Sequence, residues 1–286
     1  MVSEGSVHRP VVVVGRGRLG TSLYDALTAA GIVAMLVPGR DRDALGAALA
    51  KHVDAVVMLA VPDPAISEVA ASITRMLPTP SQAAFVHLSG GARLDRLAPL
   101  AAAGYAVGAF HPLQSFPRVR RPEAFRGSTF GIDASTRGLL TELSTLAELL
   151  GGLPRRVLDD ERALYHAAGA IAANHVIALA GQASSLLEAI GWTRPECIPA
   201  LVPLMSGAVD NLAEHGLPGA LTGPIRRGDS QTVAAHLDAI HYLPAGRSRE
   251  LSDEAYRAVA RLALELAVEA GLDRSAAEEI AEVLDD

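Results

Sequence analysis

Short β-branched runs spaced by helix-length segments limit what this chain can fold into more than any other feature. Val11 to Val14 is followed by Ile32 to Val37, Ala55 to Ala60, Ala84 to Leu88 and Tyr105 to Phe110. Between them lie Leu19 to Ala30, Asp41 to His52, Pro64 to Leu77 and Leu94 to Ala103. Strand and helix alternate roughly every 25 residues, the signature of a parallel sheet with crossover helices. The strands are apolar throughout, as in a sheet covered on both faces. Aromatic residues make up only 4% of the chain, so Ala, Leu, Val and Gly must build the core, which suits close helix–sheet packing.

The pattern changes after Phe110. His111 to Gly127 reads as a loop rich in proline and arginine, Ser128 to Asp133 as one more strand and Thr136 to Leu150 as one more helix. From Asp160 onward only helices are expected: Glu161 to Ile190, Pro195 to His215, Asp229 to His241, Ser248 to Ala270 and Arg274 to Leu284. The apolar stretch Ala167 to Ala180 is interrupted by Asn174 and His175 and is expected to be a buried helix, not a membrane span. The expected fold is α/β, a Rossmann-type doubly wound parallel sheet followed by an all-α C-terminal domain. The boundary falls near Gly152 to Asp160, giving a sheet domain over 1–155 and a helical domain over 156–286.

Directly after the first strand stands G-R-G-R-L-G, Gly15 to Gly20, between a strand and a helix of the first βαβ unit. In that context the motif binds a dinucleotide. Gly15 permits the tight turn, Gly17 lets a pyrophosphate approach the backbone, and Gly20 lets the helix lie close to the strand. Arg18 and Leu19 open the helix whose free N–H groups face the phosphates. An NAD-binding site usually carries an acid at the end of the second strand. Here L-V-P-G-R-D-R, Leu36 to Arg42, has no acid before Arg40, and Asp41 reads as a helix cap. Arg40 can pair with a 2′-phosphate, so NADP is the expected cofactor. Val61 and Pro62, in L-A-V-P-D-P-A-I, and Ser89 end two further strands and complete the expected cofactor contacts, with Asp63 reading as a helix cap.

The candidate chemistry is polar and sparse. His111, after the fifth strand, can meet a substrate carbonyl as donor or general acid, or simply pin its loop. Gln114 and Ser115 follow it and can orient a substrate. His166 and Asn174, on an α-helix, would sit roughly 80° apart around its axis and ~12 Å apart along it. Either could complete the site or be a satisfied structural group, Asn174 needing partners if buried. Thr222 and Arg226, in L-T-G-P-I-R-R-G-D, can bind a substrate carboxylate or structure an interhelical loop. The expected catalytic set is His111, Asn174 and His166. No zinc-site spacing is recognised, so no metal is expected.

A net charge of −7 argues against nucleic acid as a partner. Cys197 is the only cysteine, which fits a reducing, cytoplasmic setting. Met1 to Pro10 lacks an apolar signal core. The few charges over Ala167 to Leu187 point to a homodimer through the helical domain.

The chain resembles a family that pairs a Rossmann-like domain with a helical C-terminal domain of unknown function. The residues that carry the resemblance are G-R-G-R-L-G, L-A-V-P-D-P-A-I, H-L-S-G (His87 to Gly90), H-P-L-Q-S-F (His111 to Phe116), the run from Tyr165 to Asn174, and L-T-G-P-I-R-R-G-D. That family is related to deazaflavin-dependent NADP oxidoreductases, pyrroline-carboxylate reductase, prephenate dehydrogenase and ketopantoate reductase. The resemblance implies NADP-dependent hydride transfer to a small carbonyl or imine, such as the ketoacid ketopantoate, in a dimer formed by the helical domains. The usual ketopantoate reductases rely on a lysine from the helical domain, whereas Lys51 is the only lysine here. Two alternatives stay open: a non-catalytic NADP-sensing protein, and an oxidoreductase pairing NADP with a deazaflavin.

Overall fold

The computed structural model describes residues 8–77 and 82–286, so most of the polar N-terminal stretch lies outside the described residues. The chain divides into two compact units, Met1–Ala173 and Asn174–Asp286.

The first unit is built on a seven-stranded sheet in the order β2-β1-β3-β4-β5-β6-β7. Its strands are β1 Val11–Val14, β2 Ala34–Val37, β3 Val56–Leu59, β4 Ala84–His87, β5 Ala106–Pro112, β6 Thr129–Ala134 and β7 Leu153–Arg156. All neighbours run parallel except β6, which is antiparallel to β5. Because β1 lies between β2 and β3, the chain leaves it in opposite directions, which opens a crevice at the carboxyl ends. The helices of this unit are α1 Arg18–Ala29, α2 Arg42–Lys51, α3 Ile66–Met76, α4 Ala98–Ala102, α5 Arg137–Leu149 and α6 Arg162–Ala170.

Alternation along the strands splits the core in two. Val11, Val13, Met58 and Val86 pack with Leu23 and Leu27 of α1 and Leu143 of α5. Val12, Val14, Val57 and Phe85 pack with Leu45 of α2 and Ile66 and Ile73 of α3. Each such side chain, fully buried, contributes ~1.5–3 kcal/mol. Asp41 caps α2 as expected, accepting a hydrogen bond from the Ala44 N–H at 2.9 Å.

Several expectations need correction. His111 is not on a loop: it is paired with Gly131 inside β5, because the antiparallel ladder with β6 carries the strand on through Pro112. The strand β7 reads Leu-Pro-Arg-Arg and lacks an apolar run, a composition an edge strand tolerates. The unit division lies beyond the expected 155/156, because β7 joins the sheet and Tyr165 of α6 lies over Gly131 of β6. Asp63 caps no helix; it opens a 3₁₀ turn, Asp63–Ala65, ahead of α3.

The second unit is helical: α7 Val176–Ala189, α8 Arg194–Gly219, α9 Gly223–Arg227, α10 Ser230–His241, α11 Arg247–Glu269 and α12 Arg274–Asp285. Its core gathers Val233 and Leu237 of α10, Ala260 of α11, and Ile280 and Leu284 of α12. Helix α8 is broken at Gly216 and Leu217, which leave the helical region. A π turn, Ile171–His175, leads from one unit to the next, so the α-helical spacing assumed for His166 and Asn174 does not hold. The expectation of a buried helix over Ala167 to Ala180 is also wrong for this chain. The stretch Arg162–Ala189 is long and apolar enough to cross a membrane by length and composition, and 6% of its most apolar window is buried.

Candidate active site

The turn after β1 is shaped by two glycines for internal reasons. Gly15 has φ 125°, a region open to glycine, and a Cβ there would lie 2.2 Å from the Ala60 carbonyl oxygen. A Cβ on Gly20 would lie 2.0 Å from the Gly15 carbonyl oxygen, so only glycine lets α1 sit this close to the turn. Gly17 differs: it precedes α1, and a Cβ on it would meet nothing within 4 Å. The protein's own packing does not require glycine at this position. The first turn of α1 holds no acidic residue and its N-cap offers no side-chain acceptor, so its N–H groups face outward.

Two adjoining cavities follow the carboxyl ends of the strands. One, of about 540 Å³, is lined by Gly15, Gly17, Arg40, Arg42, Val61 and Pro62. The other, of about 460 Å³, is lined by Gly17, Arg18, Leu19, Gly20, Val61, Pro62 and Ser89. They share Gly17, Ala60, Val61 and Pro62 and form one groove across β1 and β3. All nine residues expected to contact a cofactor line it. At the Arg40 end the groove is also lined by Glu68 and by Asp41, whose Oδ1 is engaged as the cap of α2. At the other end Ser89 donates to Asp63 Oδ2 at 2.7 Å and accepts from the Ala92 N–H at 3.0 Å, which fixes the turn after β4.

Beyond Ser89 the turn runs against a cluster of rings. A Cβ on Gly90 would lie 2.9 Å from His111 Nε2 and 2.8 Å from His166 Nδ1, so both imidazoles press against this bare backbone. The two ring centroids are 6.2 Å apart. His111 Nδ1 lies 3.1 Å from the Tyr165 hydroxyl, and a Cβ on Gly131 would lie 2.7 Å from that phenol ring. His87, paired with Ala109, shares a sheet face with His111 two residues further on. Arg162, one helical turn before Tyr165 and His166, is fully buried. Asp159 Oδ1 is 3.8 Å from its Nε, but none of its guanidinium nitrogens has a hydrogen bond, nor does either ring nitrogen of His87.

The electrostatics follow from this packing. Burial lowers His111 to about 4, helped by nearby His166 and Arg162 and opposed by Asp63. Burial and Arg162 lower His87 to about 4 in the same way. Both rings are therefore neutral at neutral pH. Burial raises the Tyr165 phenol, against a hydrogen bond from the Gly131 backbone and the charge of Arg162, so it keeps its proton.

The structure thus brings together His111 and His166 of the expected catalytic set. Gln114 spends its amide on its own loop, donating to the Ala124 carbonyl at 3.3 Å and accepting from the Ser115 N–H at 2.9 Å. The other expected residues belong to the helical unit. Asn174 is exposed within the π turn. Thr222 lines an apolar cavity of about 370 Å³ with Leu179, Leu221, His236 and Tyr256. Arg226 donates through one guanidinium nitrogen to the Ala270 carbonyl at 3.2 Å, at the end of α11. Sequence reasoning missed His87 and Arg162 as members of the cluster and gave Tyr165, beside His166, no role of its own. The spacing of Arg162, Tyr165 and His166, at i, i+3 and i+4, was the available signal. Among the described residues no group of three or more His, Cys, Asp or Glu is placed to hold a metal ion.

Residues 128–281, more than half of the chain, match the family described as a domain of unknown function, DUF2520. The chain belongs to the DUF2520 family. Solved structures agree with the fold of this DUF2520 protein. A candidate NADP oxidoreductase from Bacteroides fragilis superposes with a TM-score of 0.66 at 22% identity, covering 90% of this chain and 98% of that one. A Thermotoga maritima protein gives 0.69 at 24%, covering 91% and 98%. Pyrroline carboxylate reductase of Plasmodium falciparum, solved with NADP bound, gives 0.57 at 13%, covering 96% and 100%. At these identities the likeness establishes a Rossmann-type sheet followed by a helical domain, as the motifs implied. Among curated proteins none matches this DUF2520 chain significantly.

Proposed function

We propose that the chain is an NADP-dependent reductase of a small carbonyl or imine substrate, with ketoacids such as ketopantoate the first to test. The observation that carries the reading is the groove running from Arg40, past the bare Gly17, to Ser89, with the ring cluster packed against the next residue, Gly90. Gly17 and the outward N–H groups of α1 suit a pyrophosphate, and Arg40 suits a 2′-phosphate. The NADP-binding relatives of the same fold support this assignment. When bound, NADPH supplies the hydride. His111 is the group we assign to the atom that receives the substrate's π electron pair, with the proton that completes the product drawn from water. His166 flanks the same space and serves as a second polar contact.

Two substitutions test this reading. Gly17→Ala leaves the unliganded protein as stable as wild type, within ~0.5 kcal/mol, but weakens NADPH binding at least ~10-fold. Arg40→Asp narrows or reverses the preference for NADPH over NADH. Equal affinity of the wild type for the two dinucleotides would refute the assignment of NADP. We also propose that the chain works as a homodimer through its helical unit, where Ile177 and Leu204 are each 72% exposed.

A further inference from the structure

We propose that Tyr165 is a positioning residue whose hydroxyl donates to Nδ1 of His111, fixing the neutral imidazole with its proton on Nε2, so that the site presents a donor suited to a carbonyl oxygen rather than to an iminium. This rests on the reductase reading for its substrate, though not for its geometry. The phenol proton has two acceptors within reach: His111 Nδ1 at 3.1 Å and the His111 carbonyl oxygen at 3.4 Å. The imidazole nitrogen is the nearer, and 3.4 Å is long for a bond from a hydroxyl. A neutral imidazole that accepts at Nδ1 must carry its proton on Nε2.

Two further features hold this arrangement. Gly131 has no side chain, which lets the phenol ring reach the backbone of β6 beside His111. Arg162, a buried cation close enough to act on both rings, opposes any second proton on His111.

The consequence for substrate follows from charge. As hydride adds to a carbonyl carbon, the π pair moves to oxygen, and a fixed N–H meets the growing negative charge. An iminium substrate is itself a cation and an N–H donor. Facing His111 Nε2–H, it would find no acceptor on that ring, and the charge of Arg162 outweighs that of Asp63 there.

The test is side-chain nitrogen NMR of the full-length protein, ¹⁵N-labelled, with and without NADP. His111 should show a protonated Nε2 and a bare Nδ1 near neutral pH. Tyr165→Phe, checked for folding by its melting curve, should turn this into a mixture of tautomers. A proton on Nδ1 or a charged ring in the wild type overturns the proposal, and so does an unchanged tautomer in a folded Tyr165→Phe. The second measurement is NADPH oxidation with matched carbonyls and cyclic imines. Carbonyls should be reduced in preference, and Tyr165→Phe should lower kcat ~10- to 100-fold with NADPH affinity unchanged. Preference for the imine, or reduction of neither class, overturns the substrate assignment. Failure to bind NADPH at all instead removes the reductase reading and leaves the tautomer measurement standing.

Discussion

The two units bury their apolar residues in different ways. The sheet unit has a large closed core: Val11 to Val14 are all within 1% of full burial, shared between two helix layers, and its most exposed large apolar residue, Leu164, lies on α6 at the edge of the unit. The helical unit centres on five buried residues of α10, α11 and α12, while Ile177, Leu204 and Leu262 stand 67–72% exposed on α7, α8 and α11. One sequence specifies its own interior. The other also carries apolar side chains that its own fold leaves exposed, the surface on which the dimer proposed above would form.

The contrast fails first if a close-packed position in the sheet unit proves tolerant. Gly20→Val brings side-chain carbon onto the Gly15 carbonyl and the Ala60 Cβ, neither of which can yield cheaply. It should cost more than ~3 kcal/mol, read as a fall of roughly 6–12 °C in melting temperature. A wild-type melting curve would show that the turn is looser than its contacts require.

The second effect comes from the two neutral imidazoles buried only in the sheet unit. His87 and His111 sit at about 4 when folded and near 6.5 when unfolded. Below pH 6.5 the unfolded chain takes up protons that the folded chain refuses. Stability is therefore full above pH 6.5 and is lost as pH falls toward 4, by at most ~3 kcal/mol per ring. Denaturant titrations between pH 7 and 5, where carboxylates contribute little, should show the decline. A flat profile would mean that the rings are solvated.

The smallest effect on the folded chain should come from the helical unit. Ile177→Asp combined with Leu204→Asp should change the stability of the monomer by no more than ~0.5 kcal/mol per site, as exposed positions do. Sedimentation of the wild type should show a dimer at micromolar concentration, and of the double variant a monomer. A monomeric wild type would remove the homodimer and leave the exposed face to some other partner.

How legible each region was follows the same division. The strands of the sheet announced themselves because apolar runs this short, alternating with helix-length segments, suit a covered parallel strand, and the glycine turn because the close approaches at Gly15 and Gly20 admit no substitute. β7 was illegible because an edge strand needs no apolar run. His111 was misplaced on a loop because a histidine-proline pair reads as a turn, and the partner strand that keeps it in the sheet lies elsewhere in sequence. That the residues expected to contact a cofactor would share one groove was readable, since they cluster on one motif and the strand ends after it. The ring cluster was not, because Gly90 and Gly131 matter only as the bare floor under side chains from α6, a pairing set by tertiary structure. Arg162, charged yet wholly buried, violates the composition rules that guide such reading.

His111 has one more consequence, a kinetic one. A donor carried on a connecting segment must wait for that segment to close, on nanosecond to microsecond or slower timescales. His111 is held in a ladder opposite Gly131, with Pro112 next in the same strand and Tyr165 fastened to its ring. Its imidazole has two side-chain torsions left and little room to use them. Under the role proposed above, no segment has to close to bring this ring into place before a substrate arrives.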